Sequence, residues 1–466
     1  MSKVAPAGSG YQTAGEWAPR IVAFTCNWCS YSGADMAGTA RLTYPANVRI
    51  VRMLCSGRMD PLFALKAFEE GADGVLVSGC HPGDCHYVQG NLYARRRLEI
   101  FADLMELLGL DPRRLHFAWV SASEGVKWSE LIGRVTRSVL EAGPNGEWLS
   151  APTAEFSSAK LPEPGPPPRT APTRDANAAT TSHLRQLARR LLEEGEVSRV
   201  IGYAEGAQSD QMVPAFVETP EDAERLVWNE RCYANLANYA VHRSGGATAL
   251  IAKTCDAKSI AGLLRENQLR RDEVVVVGVS CSGIWHGDRL AAKCYGCDEN
   301  VSPLADWTVG PDGTARGSSP AAGRDTSPDP RDAALEALSS LPPDERLAFW
   351  QGEFDRCIRC YACRAVCPMC YCDTCITDKH RPQWISAPQS GPGNTSWNVV
   401  RAMHLAGRCS DCDECARVCP SGIRLDLINR SLAQGIKRKY GTMVSADPAV
   451  KTALTTYRPD DAGRFV

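Results

Sequence analysis

The cysteines of this chain occur in tight groups, and their spacing constrains the fold more than any other feature of the sequence. There are 21 cysteines in 466 residues. Lys plus Arg (52) nearly balance Asp plus Glu (54), so no polyanionic partner such as nucleic acid is indicated. We find no signal-peptide core and no apolar run long enough for a membrane span, so we predict a cytoplasmic protein. Grouped cysteines in that reducing compartment indicate metal binding or redox chemistry rather than disulfides.

Two stretches rich in proline, glycine and small polar residues divide the chain into three cysteine-bearing segments. We predict an N-terminal domain over 18–142, a flexible linker over 143–181, a middle domain over 182–309, a flexible loop over 310–343, a C-terminal domain over 344–440 and a tail over 441–466. The two separators show no apolar periodicity from which a core could form. The C-terminal segment is poor in apolar residues, so we expect its fold to depend on bound metal.

The N-terminal segment alternates short apolar runs with helix-length stretches. The runs are 20–26, 48–55, 74–80 and 115–121, and the helical stretches include 60–70 and 91–108. This alternation predicts an α/β fold with a parallel, doubly wound sheet.

Five cysteines of this segment are expected to converge at one edge of that sheet. They are Cys26, Cys29, Cys55, Cys80 and Cys85. Three of them end predicted strands, and ligands bind at the carboxyl ends of strands in open α/β sheets. Four suffice for a [2Fe–2S] cluster. The neighbouring His81 and His86 allow a Rieske-type centre as an alternative, or they donate hydrogen bonds to sulfur or cap the turn.

The C-terminal segment contains two copies of the spacing C-x2-C-x2-C-x3-C-P. This is the run of bacterial two-cluster ferredoxins, in which the fourth cysteine binds the other cluster. One [4Fe–4S] cluster is therefore predicted on Cys357, Cys360, Cys363 and Cys419, and a second on Cys409, Cys412, Cys415 and Cys367. Two zinc sites are the alternative. The expected domain is small, rich in helix and ferredoxin-like.

Two further sets of cysteines leave alternatives open. Cys370, Cys372 and Cys375, between the two runs, are either spare thiols or zinc ligands, or they belong to another cluster completed from elsewhere. In the middle segment, which we predict to be α/β, two strand-like runs end at Cys255 and Cys281, and a CxxC pair follows at Cys294 and Cys297. These four fit one cubane, or they are isolated core cysteines beside a metal-free CxxC. Cys232 is left without a role.

Motifs of other enzyme classes are absent from the sequence. We find no GxGxxG after a strand, no P-loop, no G-x-S-x-G elbow and no HExxH. No catalytic residue is therefore assigned.

Parts of the N-terminal segment resemble the delta subunit of methyl-viologen-reducing hydrogenase. The similar stretches are 24–38, 55–87, 90–91 and 121–125. In that family a flavodoxin-like domain carries a [2Fe–2S] cluster and relays electrons between a hydrogenase or formate dehydrogenase and heterodisulfide reductase. The resemblance implies the same fold, the same cluster on four of the five N-terminal cysteines, and partners of these classes.

The middle segment resembles the beta subunits of coenzyme F420-reducing hydrogenase and formate dehydrogenase. The similar parts are 253–283 and the CYGC loop at 294–297. Members of that family commonly bind FAD as well as a [4Fe–4S] cluster. The resemblance therefore implies a cubane here and leaves FAD open, because no flavin site can be mapped onto individual residues.

These observations together predict an electron-transfer subunit of a larger oxidoreductase. Its expected cofactors are one [2Fe–2S] cluster and at least two [4Fe–4S] clusters, three with the middle segment and four with the cysteines between the ferredoxin runs. Catalysis is expected on partner subunits. Two alternatives are a flavin-dependent subunit that itself reduces coenzyme F420 or NAD(P), and a zinc-stabilised scaffold without a redox role.

Overall fold

The computed structural model describes most of the chain. The described residues are 17–145, 161–208, 211–241, 245–286, 288–297, 301–318, 325–389 and 391–465. No helix in this part of the chain is long and apolar enough to cross a membrane.

The N-terminal segment forms a parallel four-stranded sheet in the order β2-β1-β3-β4. Its elements are β1 Ile21–Cys26, α1 Ser30–Thr39, β2 Val48–Met53, α2 Pro61–Glu69, β3 Gly74–Gly79, α3 Gly90–Leu107, β4 Leu115–Trp119 and α4 Gly125–Ala142. Side chains of α1 and α4 pack on one face of the sheet, and those of α2 and α3 pack on the other. Strands β1, β3 and β4 are covered on both faces and therefore have nearly continuous apolar runs, whereas the edge strand β2 is exposed or half-buried throughout.

The middle segment forms a mixed six-stranded sheet in the order β12-β11-β8-β7-β5-β6. Its elements are α5 Arg174–Glu193, β5 Arg199–Glu205, β6 Met212–Val217, α6 Ala237–Ala240, β7 Thr248–Ala252, α7 Thr254–Arg265, β8 Val274–Val279, β9 Trp285–His286, β10 Arg289–Leu290, β11 Trp307–Gly310 and β12 Gly313–Arg316. The central strands pair in parallel and the two edge pairs are antiparallel, while β9 and β10 form a separate short ribbon.

The C-terminal segment is helical. Its helices are α8 Pro330–Ser340, α9 Pro343–Asp355, α10 Ala362–Ala365, α11 Gly391–Leu405, α12 Glu414–Arg417 and α13 Leu425–Tyr440. The mixed α/β architecture with a helical C-terminal part agrees with the predicted fold class at this level of detail.

Regular structure occurs in both ranges predicted as flexible: α5 begins inside the linker, and β12 and α8 lie inside the loop. Helix α5 begins at Arg174, where the Thr173 hydroxyl accepts a hydrogen bond from the Ala176 amide, and its Leu184 and Leu191 are buried. Helix α8 begins after Asp329, which caps it. Both helices directly follow proline-rich sequence, which hid their capping residues. The centres of the two ranges, 146–160 and 319–324, lie outside the described residues.

The N-terminal and C-terminal segments share one hydrophobic core. Helix α2 packs against α11 and helix α3 against α13, and Phe101, Trp350 and Trp397 are buried together in this core. The residues after α13 return to the first sheet, where Phe465 stacks on Trp119 with ring centroids 4.2 Å apart. The C-terminal helices thus have apolar partners that their own sequence did not reveal, in addition to any support from metal.

Candidate metal centres

The N-terminal cysteines meet at the carboxyl ends of strands β1 and β3. Cys26 ends β1, Cys80 follows β3, and Cys29 precedes the first turn of α1. Their three sulfur atoms lie within 4.8 Å of one another, and those of Cys26 and Cys80 are 3.8 Å apart. All three side chains are buried. Three convergent thiols at this spacing form a donor set for a thiophilic metal.

Two further thiols extend this group. The sulfur atoms of Cys55 and Cys85 are 3.9 Å apart, and Cys55 also interacts with Cys26. The Gly57 amide donates to the Cys55 sulfur at 3.4 Å. A Cβ at Gly90 would lie 2.6 Å from the same sulfur, so only glycine fits there. The structure therefore brings all five predicted cysteines into one buried group.

The thiols of this group strongly affect one another's pKa. The pKa of Cys26 is lowered, chiefly because the neighbouring Cys29 thiol donates a hydrogen bond to it. The same interaction raises the pKa of Cys29 to about 12. Protons on such closely spaced thiols leave together only when a cation replaces them, which is what cluster binding does.

The two histidines of this region have other partners than sulfur. His81 Nε2 lies 2.7 Å from Glu124 Oε2, and the His86 ring stacks on Trp28 with centroids 3.8 Å apart. The backbone amide of His86, not its ring, donates a hydrogen bond to the Cys80 sulfur. This geometry offers no support for the Rieske-type alternative. Glu124, which precedes α4, is a residue that the sequence analysis did not single out.

The two ferredoxin-type runs exchange their last cysteines. One cavity is lined by four cysteines, which are Cys357, Cys360, Cys363 and Cys419. A second cavity is lined by another four, which are Cys367, Cys409, Cys412 and Cys415. These are the two groupings predicted from the spacing. Their roles as ligands stay a prediction, which the all-thiol donor sets fit. Below, the two sets are called the first and the second ferredoxin group.

The backbone of the two runs repeats the same turn. Arg359 and Tyr361 flank Cys360 with φ of 56° and 58°, and Asp411 and Asp413 flank Cys412 with φ of 58° each. Left-handed backbone is uncommon outside glycine and needs support from its surroundings. Part of that support is visible, because the buried Arg331 donates to Asp411 at 2.8 Å and also to Asp413. Each turn is followed by a one-turn helix, α10 or α12.

The middle cysteines line the largest cavity that we describe, of about 580 Å³, between the mixed sheet and the C-terminal helices. Cys281 lies two residues after the end of strand β8, and Cys255 lies in the first turn of α7, three residues after the end of β7. Cys294 and Cys297 complete the set, and Cys409 of the second ferredoxin group also lines this cavity. Cys232 does not: it is fully buried in the aliphatic core of the sheet, and burial raises its pKa to about 12.

Comparison with known proteins places the N-terminal domain in a family. The model of the methyl-viologen-reducing hydrogenase delta subunit matches residues 21–143, and that of a 4Fe-4S dicluster domain matches residues 353–423. The chain is 49% identical over 128 residues to the vhc iron-sulfur subunit of the F420-non-reducing hydrogenase of Methanococcus voltae, covering 28% of this chain and 89% of that protein. The chain belongs to the family of the methyl-viologen-reducing hydrogenase delta subunit. The predicted resemblances at both ends are confirmed, and that of the middle segment stays a prediction.

The delta-subunit domain occurs in relatives of different length. The iron-sulfur subunit of the F420-non-reducing hydrogenase of Archaeoglobus profundus is 47% identical over 129 residues, which are 28% of this chain and 94% of that protein. One subunit of the ferredoxin/F420H2-dependent CoB-CoM heterodisulfide reductase of Methanosarcina acetivorans is 48% identical over 128 residues, again 28% of this chain but 16% of that protein. The domain thus makes up nearly the whole of one relative and a small part of the other.

Outside the delta-subunit domain, the three cysteines between the ferredoxin runs have different surroundings. Cys370 bonds to Cys367, which lowers its pKa, whereas Cys372 is exposed. Cys375 accepts a hydrogen bond from Arg364. Nothing in these contacts joins the three into one group.

Two cations beside the cysteine groups were not predicted. Lys293 Nζ donates to the Cys412 carbonyl at 2.7 Å, and Arg401 Nη2 donates to the Cys363 carbonyl at 2.9 Å. Lys293 precedes a cysteine of the CxxC pair, and Arg401 lies on α11. No sequence motif marks either residue.

Proposed function

We propose that the chain is an iron–sulfur electron-transfer subunit that connects a hydrogenase- or formate dehydrogenase-type subunit to a heterodisulfide reductase-like or flavin-containing partner. The observation that carries this proposal is the gathering of 17 of the 21 cysteines into one buried group and three cavities. The delta-subunit domain supports the choice of partner classes, because its relatives are subunits of a hydrogenase and of a heterodisulfide reductase.

The proposed cofactors follow the four sites. A [2Fe–2S] cluster is assigned to four of the five N-terminal cysteines, and one [4Fe–4S] cluster to each ferredoxin group and to the middle set. When bound, such clusters accept and release one electron at a time, without making or breaking bonds in the protein. The strand order 2-1-3-4 supports a flavodoxin-like assignment for the N-terminal domain.

The contribution of the chain is to place the clusters and to set their potentials. N–H groups donate to sulfur at 3.4 Å in each region: Gly57 to Cys55, Ile284 to Cys294, and Asp411 to Cys409. Such hydrogen bonds stabilise the extra negative charge of a reduced cluster and therefore raise its potential.

Neighbouring sites are in contact, which supports a relay. Cys409 lines both the middle cavity and the cavity of the second ferredoxin group. Cys415 of the second ferredoxin group packs in one cluster with Cys357 and Cys419 of the first. The delta-subunit domain joins this series through the shared core. We infer the order middle site, second group, first group.

The test is the iron and acid-labile sulfide content of protein purified without oxygen. The proposal predicts about 14 irons per chain, and a cluster on the three cysteines between the runs would raise this to about 18. A value of about eight, expected for a ferredoxin pair alone, would contradict the assignments in the N-terminal and middle sites. Zinc without labile sulfide would contradict the proposal entirely and favour the scaffold.

The size of the middle cavity favours a second candidate, a flavin-dependent subunit that reduces coenzyme F420 or NAD(P). At about 580 Å³ it falls in the range of small-molecule and cofactor sites, and it extends from the cysteines to apolar residues of α13 such as Leu432 and Ile436. Acid release of one flavin per chain from the anaerobic protein would support this candidate. Protein that contains the full amount of iron but no flavin would contradict this candidate and support the electron-transfer subunit.

A further inference from the structure

Arg401 is a buried cation without a carboxylate partner in the described part of the chain. Its side chain lies on α11, and the residue is 4% exposed. Nη2 donates to the Cys363 carbonyl, but Nε is buried without any hydrogen-bond partner. Arginine is rarely buried unless paired, because the lost hydration of its charge must be replaced by an anion or by hydrogen bonds.

The other buried arginines have either a carboxylate or at least two backbone carbonyls as partners. Arg96 is also 4% exposed, and its Nη2 donates to Asp461 at 2.9 Å. Arg331 is 2% exposed and contacts Asp329 and Asp411. Arg114 and Arg359 have no carboxylate partner among the described residues, but they donate four and two hydrogen bonds to backbone carbonyls. Arg401 donates to one carbonyl only, so other groups must compensate most of its charge.

The groups that surround Arg401 are cysteines of both ferredoxin groups. Its side chain lines the cavity of the second ferredoxin group, and it also bonds to the backbone of Cys363 in the first. Burial lowers its pKa, but the negative charge of Cys415, Cys367 and Cys363 outweighs this and raises it. Arg401 therefore lies between two sets of four cysteines, which would carry negative charge as cluster ligands.

We propose that Arg401 is the shared counter-charge of the two ferredoxin-type clusters and holds both of their reduction potentials above the values that the cysteines alone would give. This inference rests on the proposed function. A fixed positive charge attracts a cluster more strongly after the cluster has gained an electron, so it stabilises the reduced state. Because the guanidinium is always protonated, its effect does not depend on pH. Arg401 is a positioning residue in this role and takes no part in a bond-breaking step.

The test compares Arg401→Met with Arg401→Lys in the full chain, purified without oxygen. Methionine removes the charge and keeps most of the volume, whereas lysine keeps the charge. Redox titration followed by EPR should show both ferredoxin-type clusters at more negative potentials in Arg401→Met, and at nearly unchanged potentials in Arg401→Lys. The signal of the [2Fe–2S] cluster should stay where it is.

Arg96→Met is the matched control, since it removes a buried arginine whose charge is paired with Asp461. It should cost stability without moving either ferredoxin-type potential. Unchanged potentials in Arg401→Met, a shift of one cluster alone, or an equal shift in Arg401→Lys would overturn the inference. If Arg401→Met loses iron while Arg401→Lys keeps it, the need for charge is supported; iron loss in both assigns Arg401 to packing and overturns it. Iron-free unmodified protein would instead overturn the proposed function.

Discussion

The N-terminal cysteine group and the two ferredoxin groups are built in different ways. In the delta-subunit domain, the ends of buried parallel strands hold the sulfur atoms of Cys26, Cys29 and Cys80 within 4.8 Å. In the C-terminal domain, left-handed turns and one-turn helices distribute four cysteines around each cavity. The core of the sheet fixes the positions of the N-terminal cysteines, whether or not a metal is bound. Short loops fix the others, which therefore depend more on their local contacts.

The electrostatic surroundings differ in the same sense. Among the N-terminal thiols, the largest influence on the pKa of Cys29 is the neighbouring Cys26. For Cys412 and Cys415 of the second ferredoxin group, burial is the largest influence, and a nearby cation opposes it. Burial raises the pKa of Cys412 to about 11, while Lys293 lowers it. The hydrogen-bonded N-terminal thiols need a metal to ionise together, whereas the second ferredoxin group already has cations that would compensate part of its charge.

The largest expected effect tests whether the ferredoxin groups are defined by space rather than by sequence. Cys357→Ser and Cys419→Ser alter different runs but the same cavity. Each should remove the same cluster, about four irons of about 14, and the same EPR signal. Iron analysis and EPR of the anaerobic proteins measure both quantities.

Cys409→Ser is the matched control for this pair. It lies in the same run as Cys419 but lines the other cavity. It should remove a signal different from the one that Cys357→Ser removes. If Cys419→Ser and Cys409→Ser lost the same signal, each run would bind its own cluster, and the crossed assignment would be wrong.

An intermediate effect is expected at Gly90, where the delta-subunit domain leaves no space beside sulfur. In Gly90→Ala the new Cβ would lie 2.6 Å from the Cys55 sulfur and must displace it. We expect the loss of about two irons and of the [2Fe–2S] signal, with the [4Fe–4S] signals retained. EPR and the absorption spectrum measure this.

Gly38→Ala serves as the control, because Gly38 lies in α1 of the same domain and a Cβ there meets nothing within 4 Å. It should keep all of its iron and gain slightly in helix stability. Full iron content in Gly90→Ala would show that Cys55 is not needed, which leaves Cys26, Cys29, Cys80 and Cys85 as the four ligands.

The sequence predicted those features that depend on local patterns, namely apolar runs and the spacing of cysteines. Apolar runs indicated the four strands of the first sheet and the two central strands β7 and β8 of the second, whereas β5, β6, β11 and β12 were not predicted. The spacing of the two ferredoxin runs predicted the two groups that line the cavities, including the exchange of Cys367 and Cys419. These features follow from a few neighbouring residues, and the folded chain does not have to be known.

Features that depend on contacts between distant segments were not predictable. Helix α5 packs on the mixed sheet although its start looks like linker, and Phe465 reaches Trp119 from the far end of the chain. No sequence motif marks Arg401. Only the folded structure shows that its side chain is buried and has no carboxylate partner among the described residues. Helices α9, α11 and α13 obtain apolar partners from the delta-subunit domain, so composition alone underestimated their core.

The smallest expected effect concerns the cysteines between the ferredoxin runs. Cys372→Ser should leave iron content and every EPR signal unchanged, because this thiol is exposed and Cys370 bonds to Cys367 instead. Cys375→Ser should behave in the same way, since that residue contacts Arg364. A loss of about four irons from either variant would show a fourth cubane that forms only when metal draws these thiols together. The conformation of this loop would then depend on bound metal. The cysteines of the delta-subunit domain, in contrast, are already brought together by the sheet.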